Sequence, residues 1–405
     1  MEQLHTPAEA RAATPPVPPG KKQKHRDWPW YLAAIVLAAA VTAGAVAASS
    51  DDPTSEAAPV ATTTSTSTTT APEPETPNIA PPAGNSRVET PLAIATQDSF
   101  LLDAAQVGDR VIPSVVTVQI TGSSFTGQET VLGSGSGVVY DNSGHIITND
   151  HVVAAGSSYE IVLADGRIYP ATVVGTDPAT DLAVLEVTAQ GLPPIALGDS
   201  DALTVGDPAV AVGSPLGLDG GPSLTVGVIS AFGRQVQTDP STTLYGMLQT
   251  DAPITSGSSG GALVDSVGRL VGITTAVGVS PVGVEGIGFA TPVEIVTRVA
   301  DEIIATGSAS SPFLGIWPQP ALEATADGGS IPRGIEVTQV DAGTAAAAAG
   351  ITEGDIIAAI DGAEILTFND LIASLRRYGS GDTIEVTLQS GEVLSVTLGQ
   401  RPDGQ

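Results

Sequence analysis

The chain has 405 residues, 42% of them hydrophobic, with 46 glycines, 31 prolines and no cysteine. That length accommodates two or three domains, and the lack of cysteine excludes a disulfide framework, a thiolate metal site and a cysteine nucleophile. A formal charge of −29 makes nucleic acid a poor partner, and four histidines (His5, His25, His145, His151) leave almost no room for a multi-histidine metal centre.

The charge divides at one place. Residues 1–27 hold Arg11, Lys21, Lys22, Lys24 and Arg26 against Glu2, Glu9 and Asp27 and read as a disordered basic segment. Everything beyond them carries 10 basic and 41 acidic residues, net −31, and no lysine. Between the two lies 28–50, which carries no charge. Its 19-residue core from Trp30 to Ala48 is long enough to cross a bilayer. Trp28, Trp30 and Tyr31 suit the membrane interface, and the preceding basic cluster suits the cytoplasmic side. The competing reading is a signal peptide cut after Ala45-Val46-Ala47, but the apolar stretch exceeds the roughly 7–15 residues of a signal core. A single-pass anchor is therefore expected, with the N-terminus cytoplasmic and the body outside the cytoplasm.

Residues 51–99 are a linker by composition: nine of the ten positions 61–70 are Thr or Ser, and proline recurs throughout. Such a stretch cannot bury enough apolar surface to offset chain entropy. From about Phe100 short β-type runs take over, separated by Gly and Asp: 114–120, 137–140, 145–148, 159–163, 168–174, 183–187, 209–212, 225–230 and 270–275. Their length and spacing predict a mostly β body, a sandwich or barrel. The one clear helical signal in the first body domain (100–307) is 292–306, opened by Pro292 and closed by Gly307. Residues 308–312 read as a link to a smaller second domain, 312–401.

Three segments bear reactive groups. Asp251-Ala-Pro-Ile-Thr-Ser-Gly-Ser-Ser259-Gly-Gly sets a serine among glycines, where a tight turn can converge backbone N–H groups on one point. Asn149-Asp150-His151 ends an apolar run, and Asp177-Pro-Ala-Thr-Asp181 opens another. His145, in the turn Asn142-Ser143-Gly144-His145, reads as solvated. Each segment alone is weak. The order His151, Asp181, Ser259 in an all-β body is that of chymotrypsin-type proteases.

The flanking text is more specific. Segments 135–153 (GSGVVYDNSGHIITNDHVV), 177–185 (DPATDLAVL), 212–218 (VGSPLGL) with 225–230, 249–264 (QTDAPITSGSSGGALV) and 286–292 (GIGFATP) resemble, in order, motifs of the HtrA (DegP-like) serine proteases. The resemblance implies a chymotrypsin-like double β-barrel with His151 as general base, Asp181 as its orienting carboxylate and Ser259 as nucleophile. It implies an oxyanion hole from the N–H groups of Gly257 and Ser259, and a specificity pocket shaped by Ile254. The chain departs from the family at Ser258, usually Asn, at Ser256, often Pro, and at Ala262, usually Pro.

In the second domain Phe368, Leu371, Ile372 and Leu375 fall at i, i+3, i+4 and i+7, one apolar face of a helix beginning near Thr367. Runs 383–388 and 392–398 flank Gln389-Ser390-Gly391 as a hairpin. Composition gives a small α/β domain. Its order resembles the PDZ module of HtrA proteases, with Phe313, Leu314, Gly315 and Ile316 matching the loop that holds a peptide's terminal carboxylate.

The implied protein is an ATP-independent serine endopeptidase acting on misfolded or regulatory extracytoplasmic proteins. It would recruit C-terminal peptides through the PDZ domain, need no cofactor or metal, and assemble as a homotrimer. Three competing readings are an inert protease fold that recruits partners, favoured only by Ser256 and Ser258, a holdase chaperone with proteolysis secondary, and a surface or structural protein, suggested only by the Thr-rich stretch.

Overall fold

The alternating apolar runs of the body close into two six-stranded barrels. The computed structural model describes residues 102–402 except 124–128, 155, 215–220, 239–241 and 276–285; the basic segment, the anchor and the linker expected at 1–99 lie outside these residues. Among the described residues no helix is long and apolar enough to cross a membrane.

A short helix, α1 (Ala104–Val111), leads into the first barrel: β1 (Val115–Ser123), β2 (Glu129–Val139), β3 (His145–Thr148), β4 (Ser158–Val162), β5 (Ile168–Asp177) and β6 (Leu182–Val187), with a single turn of helix, α2 (Asp150–Val153), after β3. They pair in the order β1-β2-β3-β6-β5-β4. The second barrel, in the order β10-β11-β12-β9-β8-β7, comprises β7 (Pro208–Gly213), β8 (Ser223–Gln237), β9 (Thr243–Thr250), β10 (Ala262–Val264), β11 (Leu270–Thr275) and β12 (Gly288–Pro292). Closure leaves no free edge in either barrel. Each has its own apolar interior: Val118, Ile146, Ile161 and Leu185 in the first, Ile229, Leu248, Leu263 and Ala290 in the second. A third cluster joins them. Val138, Ile147 and Val184 of the first meet Val210, Val212 and Ile273 of the second under helix α3 (Val293–Thr306), which contributes Val296, Val299 and Ile303. The barrels are thus fixed against each other, with His151 and Asp181 in the first and Ser259 in the second.

α3 runs from Pro292 to a left-handed cap at Gly307, the limits the sequence predicts. The remainder forms strands β13 (Pro312–Phe313), β14 (Ile316–Ala324), β15 (Ser330–Val340), β16 (Ile356–Ile360), β17 (Ala363–Glu364), β18 (Thr383–Leu388), β19 (Val393–Thr397) and β20 (Gly399–Gln400), with helices α4 (Ala345–Ala349) and α5 (Phe368–Leu375). Thr367 caps α5 through a reciprocal box with Asp370, as Ser/Thr-x-x-acid spacing favours. The sheet β14-β15-β16-β18-β19 wraps a core of Ile335, Val337, Ile357, Val386 and Val396, closed by Leu371 and Leu375 of α5.

This part packs directly on the second barrel. Arg377 makes a two-pronged ion pair with Asp201, one arm at 2.8 Å. Arg298 of α3 donates to the Arg376 carbonyl at 3.1 Å, and the Tyr245 and Phe368 rings meet edge to face at 6.2 Å.

Candidate active site

β3 ends at Thr148, and the α2 turn that follows carries His151, 45% of whose side chain is exposed. Asp181, buried with a side-chain exposure of 7%, sits between β5 and β6. Its carboxylate takes His151 Nδ1 at 2.8 Å and 2.9 Å and also accepts the His151 backbone N–H at 3.0 Å. With Nδ1 and the main chain both tied to one carboxylate, the ring is fixed and its Nε2 is free of that grip. Burial pulls the His151 pKa down, but the Asp181 hydrogen bond and charge, helped by Asp150, leave it above the ordinary imidazole value.

Asp181 occupies a left-handed backbone conformation, φ 55°, which disfavours any residue with a Cβ. Fully buried Asn149 opposes that strain: its Nδ2 donates to the Asp181 carbonyl and to Thr275 Oγ1, both at 2.7 Å. Thr275 in turn donates to Asp181 Oδ2 at 3.1 Å. Asn149 Oδ1 has no partner among the described residues.

Ser259 lies half-buried in the loop between β9 and β10. No hydrogen bond joins its hydroxyl to His151 among the described residues. The loop itself is clamped from the first barrel by Ser136, a fully buried residue of β2. The Ser136 N–H donates to the Ser259 carbonyl at 2.8 Å, and its hydroxyl donates to the Gly257 carbonyl at 2.7 Å while accepting the Ser214 N–H at 2.7 Å. The Ser258 N–H closes a turn onto the Thr255 carbonyl at 2.9 Å, so both sides of the 257–258 peptide are held. The N–H groups of Gly257 and Ser259 have no acceptor among the described residues. Gly260, at φ 85°, must be glycine, because a Cβ there would lie 2.2 Å from the Ser136 carbonyl oxygen. A fixed imidazole, a serine on a glycine turn and two unengaged N–H donors form a set that can carry out acyl transfer.

Ile254 is buried in the second barrel, and a Cβ on Gly288 would meet its Cδ1 at 2.6 Å. Ser258, where the family usually has Asn, places Oγ at 3.5 Å from Thr255 Oγ1. His145 departs from its expected solvation. Only 14% of its side chain is exposed, and its Nδ1 lies 2.6 Å from Asp141, because the β2–β3 turn folds the acid back over it.

Phe313, Leu314, Gly315 and Ile316 line a groove of about 250 Å³ together with Phe368, Leu371, Ile372 and Leu375 of α5. The helix face predicted from spacing therefore serves both core and groove: Leu371 and Leu375 are buried, while Phe368 is 42% exposed. Gly315, at φ 84°, leaves no room for a Cβ, which would stand 2.2 Å from Thr344 Cβ. Ala179, from the turn that leads to Asp181, also borders this groove.

Three functional neighbours escape sequence reasoning: Ser136, Asn149 and Thr275. The Gly135-Ser136-Gly137 triplet is the one visible hint, since a Cβ at 135 or 137 would strike Val152 or Ile146 at 2.6 Å and 2.7 Å.

Known proteins resemble both parts of the chain. A trypsin-like peptidase domain model matches residues 135–273, and a PDZ domain model matches 336–389. The chain is 36% identical to serine protease PepD of Mycobacterium tuberculosis, over 81% of this chain and 72% of PepD. It is 38% identical to the serine protease Do-like HtrA of Lactococcus lactis subsp. cremoris, over 66% of this chain and 70% of that protein. Among solved structures, the HtrA-type protease AlgW with a decapeptide matches at 32% identity and a TM-score of 0.56, covering 74% of this chain and 99% of AlgW. The chain belongs to the HtrA family of trypsin-like serine endopeptidases with a PDZ domain.

Proposed function

We propose that Ser259, His151 and Asp181 are the catalytic triad of this endopeptidase. His151 Nε2 takes the Ser259 proton as Oγ attacks the scissile carbonyl, and Asp181 stabilises the imidazolium that forms. The Gly257 and Ser259 N–H groups receive the negative charge of the tetrahedral intermediate. Its collapse breaks the C–N bond, and His151 returns the proton to the leaving amine. Water, activated by the same histidine, then hydrolyses the acyl-enzyme. No metal or organic cofactor enters these steps. The double hold of Asp181 on His151, at Nδ1 and at the backbone N–H, supports this reading most directly.

In this reading Ile254 and Gly288 shape a pocket for a small or medium aliphatic side chain. The groove at Phe313–Ile316 takes the C-terminal peptide of a misfolded or regulatory protein, added as a strand beside α5. The uncharged segment 28–50 anchors the chain as a single-pass membrane protein, with residues 1–27 cytoplasmic and the catalytic body outside the cytoplasm; its apolar length and the basic cluster before it support this. ATP-independent action and assembly of three copies rest on the family likeness alone. Casein cleavage tests the triad. Turnover by the full chain and none by its Ser259→Ala variant is the expected result, and equal turnover by both would refute it.

A further inference from the structure

Among the described residues there are nine arginines and no lysine. Seven of the guanidinium groups have a hydrogen-bond acceptor or carboxylate partner. The two that have neither among the described residues, Arg376 and Arg401, border the same groove. Arg376 follows directly on α5, half-buried, and Arg401 stands with its guanidinium 5.9 Å from the Phe313 ring centre. Burial disfavours the Arg376 cation most; the attraction of Asp177, and less so of Tyr245, opposes this, while the like charges of Arg401 and Arg298 add to it. Asp177 is itself engaged: its carboxylate accepts the Ala179 N–H at 3.2 Å and the Thr180 hydroxyl at 2.7 Å. Two cations thus face one cavity without a hydrogen-bonded counter-charge, in a chain whose body carries net −31 beyond residue 27.

The loop supplies a second set of donors. The N–H groups of Leu314 and Gly315 have no acceptor among the described residues, and both residues line the groove together with Leu371 and Leu375. Successive free backbone N–H groups are sufficient to hold one terminal carboxylate. A terminal carboxylate brings a single negative charge, which leaves one of the two guanidinium groups without a hydrogen-bonded partner. Arginine binds a carboxylate through two parallel hydrogen bonds, so a second acid in the ligand would find a directional partner.

We propose that this groove selects C-terminal segments that end in an aliphatic residue and carry an acidic side chain next to or one residue before it, with Arg376 and Arg401 compensating the two carboxylates. The proposal rests on the reading of the groove as the site for C-terminal peptides. It makes the site selective for charge against the field of its own acidic body, so the preference should be short-ranged and sensitive to salt.

The test is fluorescence anisotropy with the full-length chain carrying Ser259→Ala, so that peptides are not cut. Labelled decapeptides ending in Val carry Glu, Gln or Lys at the last or second-last position before it, and one Glu peptide is also made as the C-terminal amide. The Glu peptide is expected to bind at least tenfold more tightly than its Gln counterpart at low salt, with Lys weakest and the amide strongly weakened. The Glu-over-Gln advantage should shrink at high salt. Arg376→Gln and Arg401→Gln should each reduce that advantage, weakening the Glu peptide more than the Gln peptide, and unchanged circular dichroism and melting midpoints show that the variants are folded. Equal binding of Glu and Gln peptides, or an advantage that survives both substitutions, overturns the charge selectivity and leaves the groove's role standing. If no free-acid peptide binds, or the amide binds as well as the acid, the role of the groove falls with it.

Discussion

Replacing Ser136 with alanine removes one buried hydroxyl and two hydrogen bonds at once. The Gly257 carbonyl loses its donor and the Ser214 N–H its acceptor, each bond being 2.7 Å long. Ser136 and Ser214 are both fully enclosed, at 0% and 1% exposure, so water is not at hand to replace the hydroxyl. One buried and one part-buried unsatisfied group at about 1–3 kcal/mol each give a loss of about 2–6 kcal/mol, and each kcal/mol lowers the melting midpoint of barrels this size by roughly 2–4 °C. The effect on catalysis is separable. Freed from Ser136, the 257–258 peptide is held only by the Ser258–Thr255 turn, and the proposed donor pair at Gly257 and Ser259 loses its alignment. Removing an oxyanion donor outright costs about 10²–10³ in kcat, so misalignment should cost about 10- to 100-fold, with KM changing less than about twofold since binding is untouched. Thr117→Val is the control. It deletes the buried Thr117–Ser214 hydroxyl contact at the same junction, which does not touch the 257–259 loop. Calorimetry and steady-state cleavage of a peptide substrate should show both variants destabilised and only Ser136→Ala slowed in kcat. A Ser136→Ala enzyme with wild-type kcat, or one slowed no more than Thr117→Val, would refute Ser136 as a positioning residue.

Other consequences are as direct. Because Asp181 holds the His151 pKa above the ordinary imidazole value and the base must be neutral, kcat/KM should fall on the acid side with an apparent pKa above about 6.5. The His151–Asp181 pair contributes stability that is fully present below the unfolded histidine pKa and is lost as pH rises through the folded one. Asp181→Asn should therefore flatten that fall in melting point with rising pH, besides abolishing activity. Asn149→Ala should destabilise the chain by about 1–3 kcal/mol and lower kcat, since the left-handed Asp181 loses its backbone tie; wild-type melting and kcat would contradict this. Leu371→Ala removes a side chain that is 2% exposed between α5 and the sheet and should cost about 2–5 kcal/mol in denaturant titration. Arg377→Ala, by contrast, breaks a surface ion pair with Asp201 and should change stability by no more than about 1 kcal/mol.

The parts of this molecule that follow local rules are readable from its sequence. Helix α3 announces both ends through Pro292 and Gly307, α5 announces its start at Thr367, and the β18–β19 hairpin lies where Gln389-Ser390-Gly391 predicts it. Strands whose residues lack local strand character are not. β9 contains Gly246 at φ 74°, β10 is three residues long, and the Gly/Ser half of β2 reads as a loop because its glycines are required by Val152 and Ile146 across the barrel. The site divides in the same way. His151, Asp181 and Ser259 stand in distinctive segments, whereas Ser136, Asn149 and Thr275 are small polar residues inside strands or strand ends. Their importance comes from contacts 94 to 126 positions away in the chain, such as Asn149 to Thr275 and Thr275 to Asp181, and these contacts exist only once both barrels have closed.

The central claim is that Ser259 is a nucleophile activated by His151. The most direct measurement is peptide mapping by mass spectrometry after treating the full-length chain with a fluorophosphonate, alongside the His151→Ala variant. A covalent adduct on Ser259 in the wild type, and its loss in His151→Ala, is the expected result. An adduct on another serine, or labelling of Ser259 that does not depend on His151, would contradict it.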